Sequence, residues 1–170
     1  MQVRQFVAHS RKAARVGKIP ITSPDMPTLR QAVPDDWDAV QDLLLAADLP
    51  VDDLGPGRLG GFLIAQHKNA TVGLIGLEVL GTLGLLRSLV VARNARNTGL
   101  GGKLVGALES AAVAAGITEL WLLTIDAERF FQRHDFEIID RTAAPDEIRQ
   151  TDEFSALCPG TAHLMRKSLG

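Results

Sequence analysis

The segment 85–102, LLRSLVVARNARNTGLGG, constrains the fold most, because an apolar run typical of a strand passes through a basic turn into a helical pattern. The first N–H groups of a helix lack intrahelical partners and carry partial positive charge. Gly99 and Gly101 permit a close approach to that backbone, and Arg96 adds a full charge. The segment therefore predicts a pyrophosphate site, and the alternative is an ordinary glycine turn beside an exposed arginine.

Apolar periodicity divides the rest of the chain into strands and helices. An antiparallel meander comes first and a strand–helix–strand unit follows it, which predicts a mixed α/β sheet covered by helices. Strands are predicted over Thr28–Val33, Phe62–Gln66, Thr71–Leu80, Leu85–Val91, Glu119–Ile125, Phe136–Arg141 and His163–Lys167. Helices are predicted from Asp35 or Asp36 to before Leu49, and over Leu100–Ala115, Ala127–His134 and Pro145–Phe154.

Composition limits the class of protein. The 170 residues suffice for one domain with a hydrophobic core, since 46% are apolar and 22% are charged. A net charge of −2 provides no general basic field for nucleic acid. The single cysteine, Cys158, excludes an intramolecular disulfide and a thiolate metal cage built from one chain. These features predict a cytoplasmic protein with no metal and no nucleic-acid or membrane partner, and a homodimer stays open.

The N-terminal segment differs from the rest in charge. Residues 1–27 contain five basic residues against the single acidic Asp25, without an apolar run long enough for a signal peptide or a membrane span. We expect residues 1–26 to be a flexible leader and residues 27–170 to form the domain. Two alternatives are a surface-lying helix and an over-long start to a domain that begins near Met26.

The chain from Thr28 to Leu169 resembles the GNAT superfamily of acyl-CoA N-acyltransferases, whose Arg/Gln-x-x-Gly-x-Gly/Ala signature matches Arg96, Gly99 and Gly101. The resemblance implies a GNAT fold, in which a mixed, mostly antiparallel sheet flanked by helices splits at a bulged strand to admit acetyl-CoA. It implies that Leu89, Val90 and Val91 pair their backbone with the pantetheine arm. It also implies that the CoA pyrophosphate is held by backbone N–H groups of Asn97, Thr98, Gly99, Leu100, Gly101 and Gly102.

Further short motifs narrow the resemblance. They lie at residues 86–89, 122–124, 130–136 and 153–159. Together they are similar to the acetyltransferase domain of N-acetylglutamate synthases and to GNAT proteins associated with arsenic-resistance operons. This implies direct transfer, in a ternary complex, to the amino group of a small amino acid that is glutamate-like and can contain arsenic or phosphorus.

Catalytic and substrate residues follow from this resemblance and from residue chemistry. Many GNAT proteins use a tyrosine acid, but this chain has no tyrosine, and Phe131 at that position is expected to pack against CoA or the core. Glu78 is a candidate base for the acceptor amine or a solvent-facing residue. Arg87 suits a substrate carboxylate or a structural ion pair. Ser88 and Thr124 are further substrate-binding candidates, and Thr124 can equally bind local backbone.

Other function classes stay open at this point. Because direct transfer needs no acyl-cysteine, Cys158 is interpreted as a packed thiol. The missing tyrosine fits a non-catalytic acyl-CoA sensor, although Glu78 and Arg87 argue against one. An acetyltransferase for protein amines or polyamines is the third possibility, and an acidic acceptor cleft would favour polyamines or lysine over an acidic amino acid.

Overall fold

The computed structural model describes residues 26–157 and 160–170, with only the backbone of Leu157. The predicted leader, apart from Met26, lies outside the described residues, as does Cys158. Strands are β1 (Thr28–Gln31), β2 (Phe62–His67), β3 (Ala70–Leu80), β4 (Leu83–Val91), β5 (Glu119–Thr124), β6 (Glu137–Ile139) and β7 (His163–Ser168). Helices are α1 (Trp37–Leu45), α2 (Leu100–Ala114), α3 (Glu128–Gln132) and α4 (Asp146–Arg149), and short 3-10 turns lie at Pro34–Asp36, Pro56–Gly61, Arg93–Ala95 and Arg141–Ala143.

A seven-stranded sheet in the order β1-β2-β3-β4-β5-β7-β6 forms the centre of the domain. Each described neighbouring pair is antiparallel except β4 and β5, which run parallel. Lys68 and Asn69 take positive φ angles of 48° and 63° between β2 and β3, as a tight hairpin turn requires. The predicted mixed α/β fold with a mostly antiparallel sheet and flanking helices is confirmed.

The sheet splits between β4 and β5. Their pairing covers only Leu83–Leu85 against Glu119–Trp121, although β4 continues for six more residues. On its other side β4 contains a bulge, because Leu74 pairs with Val90 whereas Gly76 pairs with Arg87. One extra residue therefore lies on β4, and Ser88 there has a φ of 56°. A bulge bends its strand and increases the local twist, which turns β4 away from β5.

Two helices cover opposite faces of the sheet. Adjacent β3 residues point to opposite sides, and Leu74 packs in a cluster with α1 residues while Ile75 packs in a cluster with α2 residues. A third cluster surrounds Trp121 and includes Ile148 of α4. Among the described residues, no helix is long and apolar enough to cross a membrane.

The helix predicted over Pro145–Phe154 is wrong in extent. The structure has α4, a break, and then a π-helical turn over Glu153–Leu157. Thr151 explains the break, since its Oγ1 donates to the Ile148 carbonyl at 2.7 Å and accepts from the Phe154 N–H at 3.3 Å. Such side-chain bonds replace the regular helical ones. The break allows Glu153 to point inwards, where it is 2% exposed.

We predict that Gly76→Ala destabilises the domain by about 1–3 kcal/mol, the usual cost of overpacking. A Cβ there would lie 2.8 Å from the Phe62 ring and 3.1 Å from Arg87 Cγ. Gly60→Ala is the matched control, because a Cβ at Gly60 meets nothing within 4 Å. Urea unfolding measures both variants, and equal midpoints would contradict the packing argument.

Candidate functional site

The turn between β4 and α2 is held by its own side chains. Arg96 Nε donates to the Val91 carbonyl at 3.1 Å, and Thr98 Oγ1 donates to the Ala95 carbonyl at 2.6 Å. Burial, and then the charge of Arg93, lower the pKa of Arg96 from its usual value. Gly99 has a φ of 81°, a left-handed conformation that glycine adopts without a steric cost.

The N-terminus of α2 presents several backbone donors. Its first described backbone bond runs from the Lys103 N–H to the Gly99 carbonyl at 3.1 Å. The N–H groups of Leu100, Gly101 and Gly102 therefore precede the intrahelical ladder and point out of the helix end. Together with the partial positive charge of the helix end, they fit a pyrophosphate. The structure thus brings the predicted residues 96–102 together, and their CoA contacts stay a prediction.

The edge of β4 beyond the split is suited to an extended ligand. Leu89, Val90 and Val91 are buried and continue the strand past Leu85, the last residue that pairs with β5. Among the described residues, no strand pairs with β4 along this edge, so the edge is open to a strand-like partner such as a pantetheine arm, although the Val91 carbonyl already accepts from Arg96 Nε. The three predicted residues lie at the predicted place, and their pairing with pantetheine stays a prediction.

Two phenylalanines of α3 differ in exposure. Phe131 is fully buried, with its ring centre 5.1 Å from Phe130 and 5.5 Å from Phe136. Phe130 is half-buried, and the centre of its ring lies 4.7 Å from the centre of the His134 ring. Full burial favours the core alternative for Phe131, while Phe130 presents the more accessible ring. Its neighbour His134 lies close to α2, since a Cβ at Gly102 would be 2.9 Å from His134 Cε1.

A cavity of about 200 Å³ opens beside the split. Arg87 lies on β4 only two residues past Leu85, where β4 and β5 cease to pair. Phe62 and Leu77 supply apolar walls. The charged residues that line it are Asp53, Arg58, Glu78, Arg87, Asp152 and Glu153. We call this cavity the acceptor pocket.

Arg87 is the centre of the acceptor pocket and is only 8% exposed. Its Nη2 lies 2.6 Å from Asp53 Oδ2, and its Nε lies 3.1 Å from Glu153 Oε1. Its Nη1 is 3.6 Å from Oε2 of Glu78, whose side chain is 40% exposed. One guanidinium therefore joins the loop after α1, strand β3 and the π-helical turn to β4. Arg87 therefore forms structural ion pairs, which is one of the two roles expected from the sequence. Binding of a substrate carboxylate by Arg87 stays a prediction.

The environment of Glu153 favours its protonated form. Burial raises the pKa of Glu153 to about 8, and the positive charge of Arg87 opposes this effect. The negative charges of Glu78 and Asp53 raise the pKa further. A carboxyl with such a pKa changes its charge within the physiological range.

Ser88 and Thr124, the remaining candidates from the sequence, have different surroundings. Ser88 is completely buried at the bulge, and Thr124 Oγ1 accepts from the Ala127 N–H at 3.0 Å, so this bond is to local backbone. Sequence reasoning missed Asp53 and Glu153 as pocket residues. Glu153 lies in a motif of the sequence, at residues 153–159, but nothing in the local pattern shows that it meets Arg87.

Comparisons with known proteins match about half of the chain to a described family and to one relative. Residues 58–138 match the family described as acetyltransferase (GNAT) domain, and this range contains Glu78, Arg87 and the turn 96–102. An uncharacterized N-acetyltransferase of Chlorobaculum tepidum is 30% identical over 88 residues. That match covers 51% of this chain and 56% of the relative, so the chain spans about half of the relative's length.

Solved structures share the fold. N-acetylglutamate synthase from Neisseria gonorrhoeae, complexed with coenzyme A and N-acetyl-glutamate, has a TM-score of 0.77 and 18% identity, over 85% of this chain and 35% of that chain. The Rv2747 protein from Mycobacterium tuberculosis, in complex with CoA and NLQ, has a TM-score of 0.70 and 23% identity. Its match covers 84% of this chain and 99% of that chain.

We predict that Glu153→Gln removes a pH dependence of folding stability. Because the pKa of Glu153 is raised, the folded state retains a proton that the unfolded state loses above its pKa of about 4.5. The free energy of unfolding that Glu153 contributes is thus complete below that pH and falls as pH rises towards about 8, by about 1.4 kcal/mol per unit of pKa difference.

Urea unfolding of the wild type and the variant between pH 4.5 and 8.5 measures this effect. The stability of the wild type relative to Glu153→Gln should decrease as pH rises. Glu147→Gln, at an exposed glutamate of α4, should track the wild type. A relative stability that increases with pH would show instead that the ion pair with Arg87 outweighs the cost of burial.

Proposed function

Because residues 58–138 match the GNAT acetyltransferase domain, we propose that the chain transfers acetyl from acetyl-CoA to the amino group of a small amino acid held in the acceptor pocket. The observation that carries the proposal is the parting of β4 and β5 between two complementary sites. The helix terminus with the turn 96–102 lies at the end of β4, and the pocket around Arg87 lies where the split begins.

The residues of the first site fit CoA. The N–H groups of Leu100, Gly101 and Gly102, which have no intrahelical partner in the described part of the chain, suit the pyrophosphate, and the edge of β4 suits the pantetheine arm. Bound acetyl-CoA supplies an activated acetyl thioester. The relatives that contain CoA have the same fold, which supports this assignment to the first site.

The residues of the acceptor pocket suit an amine nucleophile. An ammonium must lose one proton before its nitrogen lone pair can bond to the acetyl carbon, and we assign the acceptance of this proton to the carboxylate of Glu78. Arg58 and Arg87 are described guanidinium groups that line the pocket, and we assign the acceptor carboxylate to Arg58, with Arg87 as a nearby positive charge. Ser88 on β4 and Thr124 at the end of β5 are proposed as further substrate-binding residues.

The acceptor is assigned to the amino-acid class on the motifs in the sequence. Glutamate, and glutamate analogues that contain arsenic or phosphorus, follow from the resemblance. The Neisseria structure with N-acetyl-glutamate supports an amino-acid acceptor for this fold. A thiol-release assay with acetyl-CoA against glutamate, its phosphinate and arsinate analogues, and neutral and basic amino acids tests the class. Acetylation of polyamines or protein amines alone would contradict it.

We predict that Gly101→Glu weakens CoA binding by about ten- to a hundredfold, the loss expected when a charge-assisted bond is replaced by repulsion. The added carboxylate would lie at the helix end that is proposed to receive the pyrophosphate. Gly106→Glu is the matched control on the same helix, because a Cβ there meets nothing within 4 Å. Calorimetry with CoA measures both variants, and wild-type affinity for Gly101→Glu would refute the assignment of the CoA site.

A further inference from the structure

Among the described residues, more negative than positive groups line the acceptor pocket, namely four carboxylates and two guanidiniums. If Glu153 keeps its proton at neutral pH, three carboxylates still face Arg58 and Arg87. The local field therefore favours a cationic guest over an anionic one.

Arg87 does not supply an uncommitted positive charge. Asp53 Oδ2 lies 2.6 Å from Nη2, and Glu153 Oε1 lies 3.1 Å from Nε. A substrate carboxylate at Arg87 would have to compete with these buried partners, and disrupting a buried ion pair is costly. Arg58 can bind one carboxylate. Its Nη1 donates to the Asp53 carbonyl at 3.0 Å, and its other guanidinium nitrogens make no hydrogen bond within the part of the chain that the structure describes. The pocket thus provides for one carboxylate of the acceptor and not for two.

Asp53 and Asp152 are placed to receive a second cationic group. Asp53 Oδ1 is buried and has no hydrogen-bond partner among the described residues. Leaving a buried acceptor unsatisfied is costly, and a guest that supplies a donor removes this cost. Asp152 is exposed on the same pocket wall and adds a second negative charge.

We infer that the acceptor is an amino acid with a cationic side chain, whose terminal ammonium binds beside Asp53 and Asp152. The inference rests on the proposed function and names a substrate class that differs from the glutamate-like class implied by the resemblance. One carboxylate at Arg58, the reacting amine beside Glu78 and a terminal ammonium beside the two aspartates place each charge of the acceptor next to pocket groups of opposite sign. A dicarboxylic acceptor would place its second carboxylate beside the carboxylates of the pocket.

Three probes of similar length, L-ornithine, L-norvaline and L-glutamate, differ mainly at the end of the side chain. We expect kcat/KM for L-ornithine to exceed that for L-norvaline by about tenfold or more, as one charge-assisted bond implies. We expect L-glutamate to be the poorest acceptor. Calorimetry of the three probes in the presence of CoA should give the same order of affinity. A preference for L-glutamate or L-norvaline over L-ornithine overturns the inference.

Charge-removing variants locate the effect in the pocket. Asp53→Asn and Asp152→Asn should each raise KM for L-ornithine by about tenfold more than KM for L-norvaline. Asp152 is exposed, so its replacement tests the inference even if Asp53→Asn fails to fold. Asp146→Asn is the control, since Asp146 has an 85% exposed side chain and does not line the pocket. Equal effects on both probes, or none, overturn the inference.

The two proposals fail in different ways. If CoA binds and no primary amine of any class is acetylated, the proposed function fails, and the order of probe binding still decides the charge preference. If L-glutamate is acetylated in preference to L-ornithine, the proposed function stands and the cationic acceptor is refuted. If L-ornithine neither binds nor reacts, the inference is refuted in either case.

Discussion

The parting of β4 from β5 is the constraint on which the whole site depends. Parallel pairing lasts for three residues, and one extra residue at Ser88 then turns β4 away. Beyond the split, the backbone donors and acceptors on this edge of β4 no longer bond to β5 and can bind another extended segment. The same bend places the end of β4 at the glycine turn before α2 and places Arg87 at the opening of the split. The proposed CoA site and the acceptor pocket thus arise from one local irregularity.

Arg87 is the second organising feature, because its buried charge requires partners. It draws Asp53, Glu78 and Glu153 from three separate segments to one guanidinium. Buried ion pairs add little net stability, since the cost of desolvation offsets the Coulomb attraction. The cluster therefore contributes more to the position and charge of the pocket wall than to the stability of the fold. It also leaves Glu153 in an environment that holds a proton close to neutral pH.

The sequence predicted the elements that are governed by local patterns. The helix over Leu100–Ala115 and the strands of the meander were correctly placed because apolar periodicity and glycine stops are local signals. The single helix over Pro145–Phe154 was wrong because the Thr151 side chain takes bonds that a helix would make through its backbone. Periodicity does not report such competition, and the inward direction of Glu153 was missed with it.

By itself, the sequence determined the glycine turn, its place between strand and helix, and the resemblance that predicted the split sheet. These features depend on residues within a few positions of one another, so their physics is contained in one short segment. Only the tertiary structure decided the charge of the acceptor pocket. Asp53 and Arg87 are 34 residues apart, and Glu153 lies farther along the chain. They meet because the bulged strand and the broken helix bring them together, and no local pattern encodes that encounter.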